Sequence, residues 1–274
     1  MIPSVFFLIF AIILIPESPY FLVKNAKYEE AKAAIRAFNP IDAENRLIQM
    51  KTSTDKILSV KDIIGTKHFI KILGISLALT IIQQLTAFGA ILLYMHHIFH
   101  DANSSLSKEM ATILMGVVQV LACLSSHIFF EKFERKPLEL ISTIATCLSL
   151  FILSIYFYLI IKINTTVIAW VPIASLIVYI FFCTVGMEPL PTSVLGDTFP
   201  LNLKQIISVV TATCCFIFSF IVAKIFPILV DLVDNCFAFL IFGVLSGIGI
   251  IFIWINMPKA VTIDNQRNEV FEIE

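Results

Sequence analysis

The sequence predicts an all-α membrane protein built around a bundle of six spanning helices. Of 274 residues, 58% are hydrophobic and 14% charged, where a soluble domain has roughly 45–50% and 25%. Mean hydropathy is +0.93. Six apolar runs reach the roughly 20 residues that a bilayer helix needs. One of them ends in Met187-Glu188-Pro189-Leu190-Pro191, and in lipid a proline-broken helix is tolerated only where protein or water satisfies the freed carbonyls. That segment therefore predicts a broken helix lining a path, the way carriers build gates and binding sites.

The elements follow in chain order. Residues 1–15 form an apolar run too short to span. It lacks the basic start and small-residue cleavage site of a signal peptide, and reads as the truncated end of a membrane helix. Residues 16–68 form a polar linker with nine Lys and Arg from Lys24 to Lys67. Within it, Ala26–Phe38 predicts an amphipathic helix with Glu29, Glu30, Lys32 and Arg36 on the wet face and Tyr28, Ala31, Ile35 and Phe38 on the other. Asn39-Pro40 stops it. A second short helix is expected over Ala43–Ile57, and both are expected against the inner mouths of the membrane helices.

Residues 69–257 hold the spans: Phe69–Phe99, Ala111–Phe130, Leu138–Ile161, Val167–Leu190, Ile206–Leu229 and Phe237–Met257. Residues 258–274 are a polar, acidic tail.

Basic residues set the orientation. They concentrate in the linker, at Lys132, Arg135 and Lys136, at Lys204, and in the tail, which places all four on the cytoplasmic side. The loops around Asp101, Asn164 and Asp231–Asn235 then face outward, and both glycosylation sequons, at Asn103 and Asn164, fall outside. The expected location is a plasma membrane, crossed several times.

A net charge of −1 gives no reason to expect nucleic acid. The six cysteines fall within or at the ends of apolar runs without paired or metal-like spacing, and read as small apolar residues. No catalytic triad, zinc spacing or phosphate loop stands out, so the chain is not expected to be an enzyme or to hold a cofactor or metal. Adjacent His96 and His97 point about 100° apart on a helix and read as interfacial caps.

Several motifs occur in one order: Pro16-Glu17-Ser18-Pro19, the basic linker, Gln83-Gln84-Leu85-Thr86 leading to Tyr94, Glu131-Lys132-Phe133-Glu134-Arg135-Lys136 between two spans, then Pro189-Leu190-Pro191 with Asp197-Thr198-Phe199-Pro200. Together they resemble the sugar porter family of the major facilitator superfamily. Ala111–Ala122, with Gly116-Val117-Val118-Gln119-Val120, is most similar to the insect facilitated trehalose transporters within it. The resemblance implies two six-helix halves, of which this chain matches the end of the sixth helix, the linker and the C-terminal six-helix bundle.

The resemblance also implies site residues. Gln83 and Gln84 match sugar-contacting glutamines in mid-helix, Gln119 a pocket-facing position, and Tyr94 a gating tyrosine. Thr192, in place of a tryptophan, is placed with them as a candidate contact. The alternative is that these amides join helices by hydrogen bonds.

Gly89 replaces a pocket asparagine, and Thr184, Cys215 and Ser219 stand where larger polar groups occur, so the pocket is thinned. Pro189 and Pro191 form the gate. Glu131, Arg135, Asp197 and Lys204, with Lys136, match an inner latch of charges, or are ordinary solvated loop charges. Glu188 replaces a glycine. It reads as a proton acceptor, as a paired or watered acid at the gate, or as drift.

The expected function is facilitative transport of trehalose, glucose or a similar sugar by alternating access. It would be shared with a missing N-terminal half or a full-length carrier, in contact with lipid. The alternatives are a non-transporting remnant or interaction protein, or a carrier of another small solute.

Overall fold

The computed structural model describes residues 10, 17–38, 44, 47–48, 50, 67–102, 106–162, 168–193 and 201–257, with the side chains of 20, 24, 38, 67–69, 71–72, 131, 161–162 and 201–206 outside the description. The expected run 1–15, the helix over Ala43–Ile57 and the tail therefore lie almost wholly outside it. Among the described residues every regular element is helical. They fall into two units, 1–66 with 200–203 and 67–199 with 204–274, and each is described by itself.

The first unit holds α1 (Pro19–Lys24) and α2 (Tyr28–Phe38). Ser18 then Pro19 start α1, with proline where a missing N–H costs nothing. The chain turns at Ala26, whose φ of 58° is left-handed, and Lys27 N–H closes the turn on Leu22 O at 2.9 Å. The predicted start of α2 is thus two residues early. Its buried face is Ala31, Ala34 and Ile35 against Leu22, Val23 and Leu47. Tyr28, expected on that face, is 40% exposed, and Ala34 takes the buried place. Lys32 Nζ reaches Glu44 Oε1 across the unit, and this ammonium holds the Glu44 carboxyl below the usual carboxylate range.

The second unit holds α3 (Lys67–Leu85), α4 (Phe88–Asp101), α5 (Lys108–Lys132), α6 (Arg135–Lys162), α7 (Val171–Phe182) and, from Lys204 onward, α8 (Leu201–Asn256). Ser107 caps α5, its hydroxyl accepting from Met110 N–H at 3.4 Å. The connection expected at Asp231–Asn235 is a kink between two helices rather than an open loop. α8 runs through it with one non-helical residue, Asp234 (φ 65°, ψ 161°). Fifty-six residues of helix would reach roughly 80 Å, well over twice a ~30 Å hydrocarbon core, so we read α8 as two crossings meeting at Asp234.

The core of this unit is aromatic. Phe157 and Phe239 stack at 5.5 Å, and Phe226 packs on both Phe239 and Phe242. Between apolar helices in lipid, small polar ties add to packing. Ser154 donates to Cys236 O at 2.8 Å, and Tyr156 Oη to Ala102 O at 2.7 Å.

Lys136, in the first turn of α6, donates to Trp254 O at 2.8 Å and Met257 O at 2.7 Å. It thus closes orphan carbonyls at the end of α8 and sets a cation at the negative pole of the helix. Charge-assisted bonds of this kind are worth about 1.5–3 kcal/mol. Lys136→Ala is expected to raise amide exchange in the last turn of α8 about tenfold or more. Unchanged exchange there would show that the cap adds nothing.

Candidate functional site

Sequence spacing places Gln83 and Gln84 in mid-helix. The structure corrects this: α3 ends at Leu85 and α4 begins at Phe88, with Ala87 between them at φ 64°. The break is made by hydrogen bonding. Thr86 Oγ1 donates to Gln83 O at 2.7 Å, and the buried Tyr179 Oη, from α7, donates to Thr86 O at 2.8 Å. A carbonyl released from the helix ladder thereby regains a partner in a dry interior.

The amides sit just before this break. Gln84 Nε2 donates to Cys215 Sγ on α8 at 3.0 Å. Gln83 is half-buried, and its amide has no hydrogen-bond partner among the described residues. Further along α4, a Cβ added at Gly89 would lie 3.4 Å from Ser219 Oγ, and Tyr94 stacks on Phe226 at 5.8 Å and 14°. Gln84, Gly89 and Tyr94 thus face Cys215, Ser219 and Phe226 along one seam between α3–α4 and α8. Gln119, on α5, is half-buried with no hydrogen-bond partner among the described residues.

The second break carries the prolines. After α7 the chain widens into a π-turn, Cys183–Met187, closed by Glu188 N–H on Cys183 O at 2.9 Å. A proline at 189 has no N–H and crowds the carbonyl four residues back, and the wider turn relieves that crowding. Helix resumes at 190–193. Thr192 Oγ1 donates to Pro189 O at 2.8 Å, within its own turn rather than toward the glutamines. Arg135 Nη1 donates to Ser193 O at 3.4 Å, joining the start of α6 to this segment. Glu188 is exposed. Asp197, Asn103 and Asn164 lie outside the described residues, as do the side chains of Glu131 and Lys204.

Sequence reasoning passed over two features. Gly186 lies so close to α6 that a Cβ there would come within 1.9 Å of Ser142 Oγ. Glu139, one turn before Ser142, is 1% exposed, and neither carboxyl oxygen has a hydrogen-bond partner among the described residues. The signal for Glu139 was available: an acid inside an apolar span.

A family model described as "Sugar (and other) transporter" matches residues 1–267. The facilitated trehalose transporter Tret1 of Apis mellifera ligustica is 27% identical over 265 residues, 94% of this chain and 52% of that protein. Tret1 of Bombyx mori is 29% identical over 266 residues, again 94% of this chain and 52% of that protein. The chain thus spans about half the length of these relatives. Among solved structures, the proton:xylose symporter XylE bound to 6-bromo-6-deoxy-D-glucose, of the major facilitator superfamily, superposes with a TM-score of 0.76 at 22% identity. That match covers 94% of this chain and 54% of that chain, and it establishes the fold.

Proposed function

The chain belongs to the sugar (and other) transporter family, and from that premise we propose that it forms one wall of a sugar path through a membrane it crosses several times. Two broken helices carry this reading. The α3–α4 break and the π-turn of α7 are tied through Tyr179 and Thr86, with two glutamines at the joint. Discontinuous helices meeting near mid-membrane are how carriers expose backbone and amide groups to a solute. Gln83, Gln84, Gln119, Tyr94 and Thr192 are the proposed substrate contacts, and Pro189 and Pro191 the gate.

The sugar class is that of the relatives: trehalose, or a hexose of similar chemistry. Alternating access requires a second bundle facing this one, an N-terminal half or a full-length carrier, so vesicles holding residues 1–274 alone give no uptake on this reading. The linker, Lys204 and the tail lie on the cytoplasmic side of a plasma membrane. Arg135, Glu131, Asp197 and Lys204 act there as a latch between helix ends, Arg135 through the segment ending at Ser193. Asn103 and Asn164 are outward glycan acceptors, and Glu188 is the candidate for proton coupling.

The test is uptake of labelled trehalose and glucose by vesicles carrying the complete carrier. Losing one amide contact costs about 0.5–1.5 kcal/mol, so Gln83→Ala is expected to cut the apparent affinity about two- to tenfold. Unaltered uptake in both Gln83→Ala and Gln84→Ala would remove these residues from the path.

A further inference from the structure

A sugar ring asks for two things together: polar groups for its hydroxyls and a flat apolar surface for its C–H face. At the π-turn Thr192 offers no ring and turns back on Pro189, and at the α3–α4 break the Tyr179 ring is fully buried with its hydroxyl spent on Thr86 O. Both requirements meet at the other end of the same seam. A cleft of about 240 Å³ opens there between α4 and α8. Its wall is the half-buried Tyr94 with Pro227, and the buried Phe226 backs the Tyr94 ring from behind. Its rim is polar: His97, Asp101, Asp231 and Asn235. Asn235 Nδ2 donates to Asp101 Oδ2 at 3.0 Å and ties the two helices at the rim. The Asp231 side chain is exposed and has no hydrogen-bond partner among the described residues.

We propose that this cleft is a docking subsite for a single ring of a neutral sugar, at the outer mouth of the path; the proposal rests on the carrier reading above. Carboxylates and an amide oxygen accept from hydroxyls, imidazole and amide N–H donate to them, and aromatic walls take the C–H face. The volume lies below the roughly 300–1,000 Å³ of ordinary ligand pockets, which suits one ring and leaves the rest of a disaccharide outside. Among the described residues no Lys or Arg lines the cleft, and two carboxylates repel anions, so phosphorylated sugars are disfavoured.

The chain of residues 1–274 in lipid nanodiscs, titrated with labelled glucose, tests this. Asp231→Asn, an exposed change that leaves packing alone, is expected to weaken glucose binding about fivefold, as is His97→Ala, also exposed. Glucose 6-phosphate is expected to compete far more weakly than glucose. If Asp231→Asn and His97→Ala bind as the unaltered chain does while Gln83→Ala binds worse, the subsite is overturned and the carrier reading stands. If the unaltered chain binds no glucose, the subsite is overturned, and uptake by the complete carrier decides the carrier reading. Displacement of glucose by tetramethylammonium at equal concentration would show a cation site instead and overturn the assignment to neutral sugars.

Discussion

Gly186→Ala is expected to lower the melting midpoint of the detergent-solubilised protein sharply. The π-turn pushes Gly186 against α6, where an added methyl would lie 1.9 Å from Ser142 Oγ, 2.5 Å from Ser142 Cβ and 3.4 Å from Leu138 O. None of these is the far end of a long side chain that swings away, and Ser142 is itself fully buried. Either α6 or the π-turn must shift. Overpacking of this kind costs about 1–3 kcal/mol, occasionally more, and at about 2–4 °C per kcal/mol the midpoint should fall by roughly 3–10 °C. Ser142→Gly removes both offending atoms, so the double variant should recover most of the loss, and the two changes should be strongly non-additive. Equal midpoints for Gly186→Ala and the unaltered protein would mean that the turn does not rest on α6 as described. The same displacement would move Pro189 and Pro191, three and five residues on, so uptake by the complete carrier should fall with stability.

The contrast between the two helix breaks shows what the sequence makes legible. Proline has a steric effect that does not depend on the fold, so the break beside Pro189 and Pro191 can be read from the chain. The break at Ala87 has no such mark. Alanine is the best helix former, and it is left-handed here where Tyr179, ninety-three positions away, binds Thr86 O. A local bond from Thr86 Oγ1 to Gln83 O and the tertiary contact from Tyr179 together hold that turn. The spans were legible for the converse reason: in lipid an apolar run has few alternatives to a helix. Asp234 shows the limit, because a stretch that reads as a loop joins two helices through a kink at one non-helical residue. The glutamine pair was legible as polar groups in an apolar span. Its placement at a helix end, and the engagement of Gln84 by Cys215 rather than by an asparagine, needed the packed structure. The cleft was hidden for the same reason, since Tyr94 and Asp101 meet Phe226, Asp231 and Asn235 only once α4 and α8 pack together.

Glu139→Leu is expected to raise the melting midpoint, reversing the usual sign of a substitution in a buried interior. The Glu139 side chain is 1% exposed and both carboxyl oxygens lack partners among the described residues. Nearby on the same helix face, Ser142 Oγ also lacks one among them. Lys136, three residues back, is committed to the carbonyls of Trp254 and Met257. Burying an unsatisfied polar group costs about 1–3 kcal/mol by protein mutation, and replacing a buried charge by a packed apolar side chain is often stabilising by a similar amount. Leucine is close to glutamate in size and asks for no partner, so a gain of about 1–3 kcal/mol is expected. Glu139→Gln keeps the polar demand and should gain little. A lower midpoint for Glu139→Leu would show that the acid holds a bound water or another partner whose loss outweighs the burial term. The two readouts together decide what the acid is for. Stabilisation with uptake intact makes Glu139 a tolerated cost of the fold, whereas stabilisation with uptake lost in the complete carrier makes it a working group of the membrane interior, kept despite its cost.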